Sequence, residues 1–379
     1  MLKNTFQKFE NPDLLVVAGE ASGDEHAAKV IQKLKEAHPQ LRIAALAGRA
    51  MHEEEAFMLD DLTSHASVGL WEVIKKLPDF LSLLDKTVRW IKENRPKALM
   101  LTDFVGFNLE LAKRLYDEKL SAKAGGSVKI YFYVSPQIWA WKGHRRFKMA
   151  RWLDSLGVIF PFEVEVYKDT RLPVEFVGHP FVADDFVNPI QYDPQGPVLL
   201  LPGSRKAIVE KHLPILWNAY RLFSQTKIGE GKKAAAYYAS ESLRRQMQKL
   251  TAGALPLYPA QAPIKASAVL TTAGTISVLA ALAGVPGAIL YKTDPLTYNF
   301  GRSVYKLPYL GMPNLLLRRE IMKEFIQAKA TPAELCKRLC ELYENGEALK
   351  ESLRAAAELK SLLGQPKRTA AEWIAEAVK

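Results

Sequence analysis

The sequence offers little that could hold a metal or be locked by disulfides. It has two cysteines, Cys336 and Cys340, and seven histidines in 379 residues. The cysteines lie four apart in a helical-looking stretch, so no disulfide framework and no Cys/His metal site are expected, and a reducing compartment is the default. No apolar run reaches the ~18 residues of a spanning helix. The opening Met1-Leu2-Lys3-Asn4 lacks the basic and apolar regions of a signal peptide. Also missing is the Gly-x-Gly-x-x-Gly of dinucleotide-binding turns, which argues against a nicotinamide dehydrogenase. Zinc-finger spacing, an RNA-binding aromatic signature and long Arg/Lys tracts are absent too, so no nucleic-acid partner is expected. No cofactor is called for.

What remains is globular: 48% hydrophobic and 25% charged residues. The length suits two α/β domains better than one core. The net charge is +11. That excess reads either as a solvated basic surface or as a match for an anionic partner, such as a phosphorylated substrate or acidic lipid headgroups.

Short apolar runs alternate with helical stretches. Leu14–Ala18, Ile43–Ala47, Ala98–Thr102, Lys129–Val134, Ser155–Phe160 and Val174–Val177 read as strands. The Pro-containing segment 184–196 reads as a linker. The pattern then restarts with strands at Val198–Leu201, Lys233–Tyr238, Ala268–Thr271 and Gly287–Tyr291, and the tail from Pro332 is helical. The expected fold class is therefore α/β, with two doubly wound parallel-sheet domains facing across a cleft. The expected divisions are 1–183, 184–345, and a helical tail, 346–379, packing back toward the first domain.

In open parallel sheets, ligands bind beyond the carboxyl ends of the strands. Six candidate positions fall there. Leu201-Pro202-Gly203-Ser204-Arg205 leads from a strand into a helix, whose free N–H groups suit an anion and to which Arg205 adds a planar cation. Gly19-Glu20-Ala21-Ser22-Gly23-Asp24 has similar logic, or is a plain turn in which Ser22 or Asp24 caps a helix. Asp103 ends a strand, where a carboxylate can act as general base or as an ordinary cap. Gly274-Thr275 opens an Ala/Leu-rich helix, and Ser135 and His179 follow strands in the first half. His179 reads either as structural or as a group that polarises a phosphate. Beyond these turns, Leu70, Trp71, Ile74, Lys75 and Lys76 form an amphipathic stretch that faces either the core or an acyl surface.

The order of Val17-Ala18-Gly19-Glu20-Ala21-Ser22-Gly23-Asp24, Val68-Gly69-Leu70-Trp71-Glu72-Val73, Val134-Ser135-Pro136-Gln137-Ile138-Trp139-Ala140-Trp141, Phe160-Pro161-Phe162-Glu163, Phe176-Val177-Gly178-His179-Pro180, Leu200-Leu201-Pro202-Gly203-Ser204-Arg205 and Pro313-Asn314-Leu315 is highly specific. Over nearly its whole length the chain resembles the lipid-A-disaccharide synthase family. The resemblance implies a GT-B glycosyltransferase, in which UDP-2,3-diacylglucosamine donates its sugar to the anionic glycolipid 2,3-diacylglucosamine 1-phosphate. Transfer would invert the anomeric centre and need no metal.

It further implies Asp103 as general base and Gly203, Ser204, Arg205, Gly274, Thr275 and Asn314 on the UDP-sugar. Gly19, Glu20, Ser22, Gly23, Asp24, Ser135 and His179 would line the acceptor side, and the Leu70–Lys76 stretch would meet the membrane. The enzyme would sit on the inner face of the cytoplasmic membrane, with a homodimer as an open expectation. The chain departs from the family pattern at Gly106, Ile208 and Leu279, where carboxylates are usual. Those departures motivate a competing reading, a non-catalytic or altered-donor paralogue.

Overall fold

The computed structural model describes residues 6–63, 77–139, 142–294, 298, 307–344 and 346–379. The chain divides into two compact units, Met1–Pro180 with Gln365–Lys379, and Phe181–Gly364.

The first unit is built on seven strands: β1 Leu14–Ala18, β2 Ile43–Ala47, β3 Phe57–Asp61, β4 Ala98–Thr102, β5 Lys129–Tyr133, β6 Ser155–Val158 and β7 Val174–Phe176. They pair in the order β3-β2-β1-β4-β5-β6-β7, all parallel. Every residue of β1 and β4 is buried, as expected of strands covered on both faces. The chain order runs outward in both directions from the β1/β4 pair, which makes that pair the topological switch point. The helix Ala21–Ala37 follows β1 and buries Ala27, Val30, Ile31 and Leu34 at helical spacing. The helix Val105–Asp117 follows β4 and buries Phe107, Leu111 and Leu115.

The C-terminal helix Ala370–Val378 belongs to this first unit. The Trp373 ring packs on Tyr131 of β5, and its indole N–H donates to Ser155 Oγ of β6 at 2.9 Å. Gly157 makes room for it: a Cβ there would stand 3.1 Å from the ring. Arg368 pairs with Glu175 and Glu376, and Thr369 and Glu372 form a capping box at the helix start.

The second unit holds β8 Ile190–Tyr192, β9 Val198–Leu201, β10 Ala234–Tyr238, β11 Leu257–Pro259, β12 Ile264–Ala266, β13 Ala268–Thr272, β14 Gly287–Tyr291 and β15 Lys323–Ile326. Six pair in the order β11-β10-β9-β13-β14-β15, with the switch at β9/β13, and β8 pairs with β12 apart from them. The segment read as a linker, 184–196, thus contributes the strand β8. Strands β3, β11, β12 and β15 were not evident in the sequence, being short and, except for β12, half-exposed. The tail is three helices, Pro332–Glu344, Gly346–Gly364 and Ala370–Val378, of which the first two lie in the second unit.

Candidate active site

In the first unit, parallel pairing brings the carboxyl ends of β1, β4, β5, β6 and β7 to one edge of the sheet. The motifs that stood out in the sequence leave from those ends. At the switch point, the turn after β1 meets the turn after β4. Asp103 Oδ1 accepts a hydrogen bond from the Gly19 N–H at 3.1 Å. The other oxygen, Oδ2, is buried against the first turn of the helix Ala21–Ala37 and has no hydrogen-bond partner. Burial is the main reason that the carboxyl is pushed up to about 8; the Gly19 and Glu20 N–H groups pull it down, and the charges of Glu20 and Asp24 add to the rise. Asp103 therefore combines a carboxyl at a strand end with basicity near neutrality, which suits proton abstraction from a hydroxyl.

The backbone at this point is strained. Asp103 and Phe104 are consecutive left-handed residues, with φ of 48° and 37°. Such a conformation costs a non-glycine residue about 1–3 kcal/mol and persists only where its surroundings hold it. The Phe104 ring lies over Gly19, where a Cβ would come within 2.4 Å of it, and stacks on Phe107 at 5.3 Å.

The remaining residues expected around an acceptor divide. Glu20 and Ser22 are exposed at the start of their helix, and Gly19 and Gly23 make room for Phe104 and Asp103. Glu20 occupies the cap position without a side-chain bond, so neither Ser22 nor Asp24 caps this helix. Asp24 is buried and turned to another task. Its Oδ1 accepts from the Gly48 and Met51 amides at 2.9 and 3.2 Å, and its Oδ2 from Ala50 at 2.8 Å. It ties the turn after β2 to the turn after β1 and is not available as a ligand. Ser135 is likewise buried, sharing a 2.8 Å hydrogen bond with the Tyr167 hydroxyl. His179 is buried with its ring 5.1 Å from Phe160. Burial, with His26 nearby, pushes it down to about 3, so it is neutral at physiological pH and offers no positive charge to a phosphate.

Glu163 was not foreseen. It is buried at the end of the Phe160-Pro161-Phe162-Glu163 turn, where Oε2 accepts the Phe160 N–H at 3.1 Å. Burial pushes it up to about 8 against the Phe160, Trp139 and Ile159 N–H groups. In the same turn the Phe162 ring meets those of Trp139 and Phe160, at 5.3 and 5.8 Å between centroids. A Glu three residues into an aromatic turn after a buried strand was the available signal.

In the second unit, the expected anion turns meet at the β9/β13 switch point. Gly203 has φ of 105°, which only glycine adopts freely, and Thr272 Oγ1 bonds Leu201 O across the two strand ends. Ser204 and Arg205 are exposed, and Arg205 occupies the cap position of the helix Lys206–Ser224 without a side-chain bond. Gly274 and Thr275 are exposed at the start of the helix Thr275–Leu282. Two helix N-termini thus open at one switch point, beside an exposed guanidinium. His212, also unforeseen, braces this turn: Nδ1 donates to Ile208 O at 2.8 Å and Nε2 accepts the Lys292 N–H at 3.0 Å.

Asn314 is a correction. It is fully buried, and its amide is spent inside the protein: Nδ2 donates to Met322 O and Glu324 Oε1, and Oδ1 accepts from the Ile321 and Met322 amides. Glu324 in turn accepts the Leu310 and Gly311 amides. Asn314 fastens the 310–324 segment and leaves no group for a donor sugar. Leu279 is buried in the core of its helix, and Ile208 packs beside Gly203. Leu70, Trp71, Ile74, Lys75 and Lys76 lie outside the described residues. Among the described residues no cluster of His, Cys, Asp and Glu is placed to hold a metal, and no helix is long and apolar enough to cross a membrane.

The pattern of the lipid-A-disaccharide synthetase family matches residues 14–378. The chain is 32% identical to lipid-A-disaccharide synthase 1 of Legionella pneumophila over 370 residues, covering 92% of this chain and 93% of that one. It is also 32% identical to lipid-A-disaccharide synthase of Nitrosococcus oceani, covering 95% of each. Among solved structures it is similar to UDP-GlcNAc 2-epimerase of Neisseria meningitidis, with a TM-score of 0.61 at 12% identity over 96% of this chain and 99% of the other. It is similar to MurG of Acinetobacter baumannii as well, with a TM-score of 0.51 at 13% identity over 97% and 99%. At such identities the likeness is one of fold, and the fold is GT-B.

Proposed function

The chain belongs to the lipid-A-disaccharide synthase family and is a glycosyltransferase of lipid A disaccharide synthesis; from that premise we propose how its two switch points divide the reaction. The donor is UDP-2,3-diacylglucosamine and the acceptor 2,3-diacylglucosamine 1-phosphate. Asp103 takes the proton of the acceptor's 6-hydroxyl. The freed oxygen attacks the donor's anomeric carbon from the side opposite the diphosphate. The C–O bond to the diphosphate breaks, UDP leaves with the electron pair, and the product is a β-1,6-linked tetraacyl disaccharide 1-phosphate with inverted configuration.

The observation that carries the base assignment is the Asp103 carboxyl itself, at a switch point, half-satisfied by one backbone N–H and raised to about 8. A base that is a stronger proton acceptor than an ordinary carboxylate matches the task better. The developing charge on UDP is met by Arg205 and by the N–H groups at the starts of the helices Lys206–Ser224 and Thr275–Leu282. Gly203 adds no side chain of its own at that turn, which favours close approach of phosphate oxygens to its backbone.

We also propose that the enzyme works at the inner surface of the cytoplasmic membrane. Its net charge of +11 favours an anionic leaflet. The test of the whole reading is transfer by purified protein in detergent. Labelled diacylglucosamine 1-phosphate should appear in a disaccharide with the UDP-diacylglucosamine donor. A folded protein that forms product only from another UDP-sugar, or none at all, would contradict it.

A further inference from the structure

Asn108 holds three consecutive carbonyl oxygens. Its Nδ2 donates to Thr102 O at 3.1 Å and to Asp103 O at 2.8 Å, and its backbone N–H donates to Phe104 O at 3.0 Å. These three residues are the end of β4 and the two left-handed residues that follow it. Asn108 is fully buried, and its Oδ1 has no hydrogen-bond partner. An orphaned acceptor in the interior destabilises a fold, so the amide is poorly explained as packing alone. Its two donors are matched to the Thr102 and Asp103 carbonyls, which a leucine of similar size could not serve. Phe104 contributes the other restraint, its ring wedged between Gly19 and Phe107.

We propose that Asn108 is the positioning residue for Asp103: its side-chain amide locks the left-handed turn so that the Asp103 carboxyl is aimed at the Gly19 amide and held ready for the acceptor hydroxyl. The inference rests on the reading of Asp103 as the base. Without the clamp, the strained pair at 103–104 has a route back to ordinary backbone angles. The carboxyl then swings away from Gly19, and the reacting oxygen is misplaced by an amount that catalysis does not tolerate. Asp24, one of the acidic groups near the carboxyl, stays where it is, because it is fastened independently to the Gly48–Met51 turn.

The test is a four-member cycle of wild type, Asp103→Asn, Asn108→Ala and the double variant, assayed for transfer and followed by thermal unfolding. Asn108→Ala should lower kcat by about 10- to 100-fold with little change in acceptor KM, as a misplacement near 1 Å does. It should also displace the acid limb of the pH–rate profile. In the Asp103→Asn background the same substitution should cost nothing further. Asn108→Ser, which keeps one donor, should fall between Asn108→Ala and wild type and serves in its place if the alanine variant does not fold. Full activity in Asp103→Asn would overturn the base assignment and the positioning role with it. If Asp103→Asn is impaired while Asn108→Ala and Asn108→Ser keep the wild-type rate and pH profile, the positioning role alone falls. It falls equally if the Asn108 loss is the same size in both backgrounds.

Discussion

A Cβ placed on Gly23 would stand 1.6 Å from Asp103 Oδ2. The second glycine of the turn after β1 is thus the floor on which the carboxyl at the end of β4 rests. Gly23→Ala should therefore displace Asp103 and cut transfer by about 100-fold or more, as errors of about 1 Å in a catalytic group do. Gly106, three residues beyond Asp103, has open space where its Cβ would be. Gly106→Ala should keep the fold and add up to about 1 kcal/mol of stability from helix propensity. Steady-state rates and urea unfolding of the two variants test the contrast.

The raised value of Asp103 sets a pH dependence in both rate and stability. For the free enzyme, kcat/KM should rise with pH and level off above about 8, as the carboxyl loses its proton. The unfolded chain releases that proton near the ordinary aspartate value of 3.8. Between 3.8 and about 8 the folded protein holds a proton that the unfolded chain has lost, so stability falls as pH rises through this window. Asp103→Asn removes this part of the slope. Its Tm relative to wild type should climb from about pH 4 to about pH 8 and then stay level; a difference that does not change with pH would contradict the raised value.

Arg205 and Asn314 should separate in opposite ways. Arg205 is exposed at a helix start, so Arg205→Ala should leave Tm unchanged and weaken UDP binding by about tenfold, the worth of a charge-assisted pair. Asn314→Ala breaks four internal hydrogen bonds and orphans the Ile321 and Met322 amides. It should cost about 2–4 kcal/mol of stability with UDP affinity retained in the folded fraction. Calorimetric titration with UDP beside thermal unfolding reads both.

Trp373 joins the C-terminal helix to the first sheet. Trp373→Ala should destabilise by about 3–5 kcal/mol, as loss of a buried aromatic does. Trp373→Phe should cost about 1 kcal/mol or somewhat more, for the lost bond to Ser155 Oγ and a small cavity. Urea unfolding with fluorescence detection measures both.

The strands that carry the two switch points were legible because β1, β4, β9 and β13 are buried throughout and read as largely apolar runs that stop at a turn. The motif order likewise drew attention to Asp103, Gly203 and Arg205, which lie just beyond β4 and β9. What stayed hidden was the partner of each polar side chain. Asp24 looks like a ligand next to Gly23 until the Gly48–Met51 amides, far along the chain, are seen to consume it. Asn314 is hidden in the same way by Met322 and Glu324. Strand β8 was masked by the prolines around it, and β3 by its polar Asp60 and Asp61. For Glu163 the aromatic turn was the local hint, but its burial depends on the tertiary fold.

Whether Asp103 removes the acceptor proton is read from single-turnover transfer by Asp103→Asn. With enzyme in excess over labelled diacylglucosamine 1-phosphate and saturating UDP-2,3-diacylglucosamine, the variant should bind both substrates as wild type does. It should form disaccharide about 10²- to 10⁴-fold more slowly, with a rate that no longer rises toward pH 8. A variant that matches the wild-type rate, or keeps its pH dependence, would contradict the account.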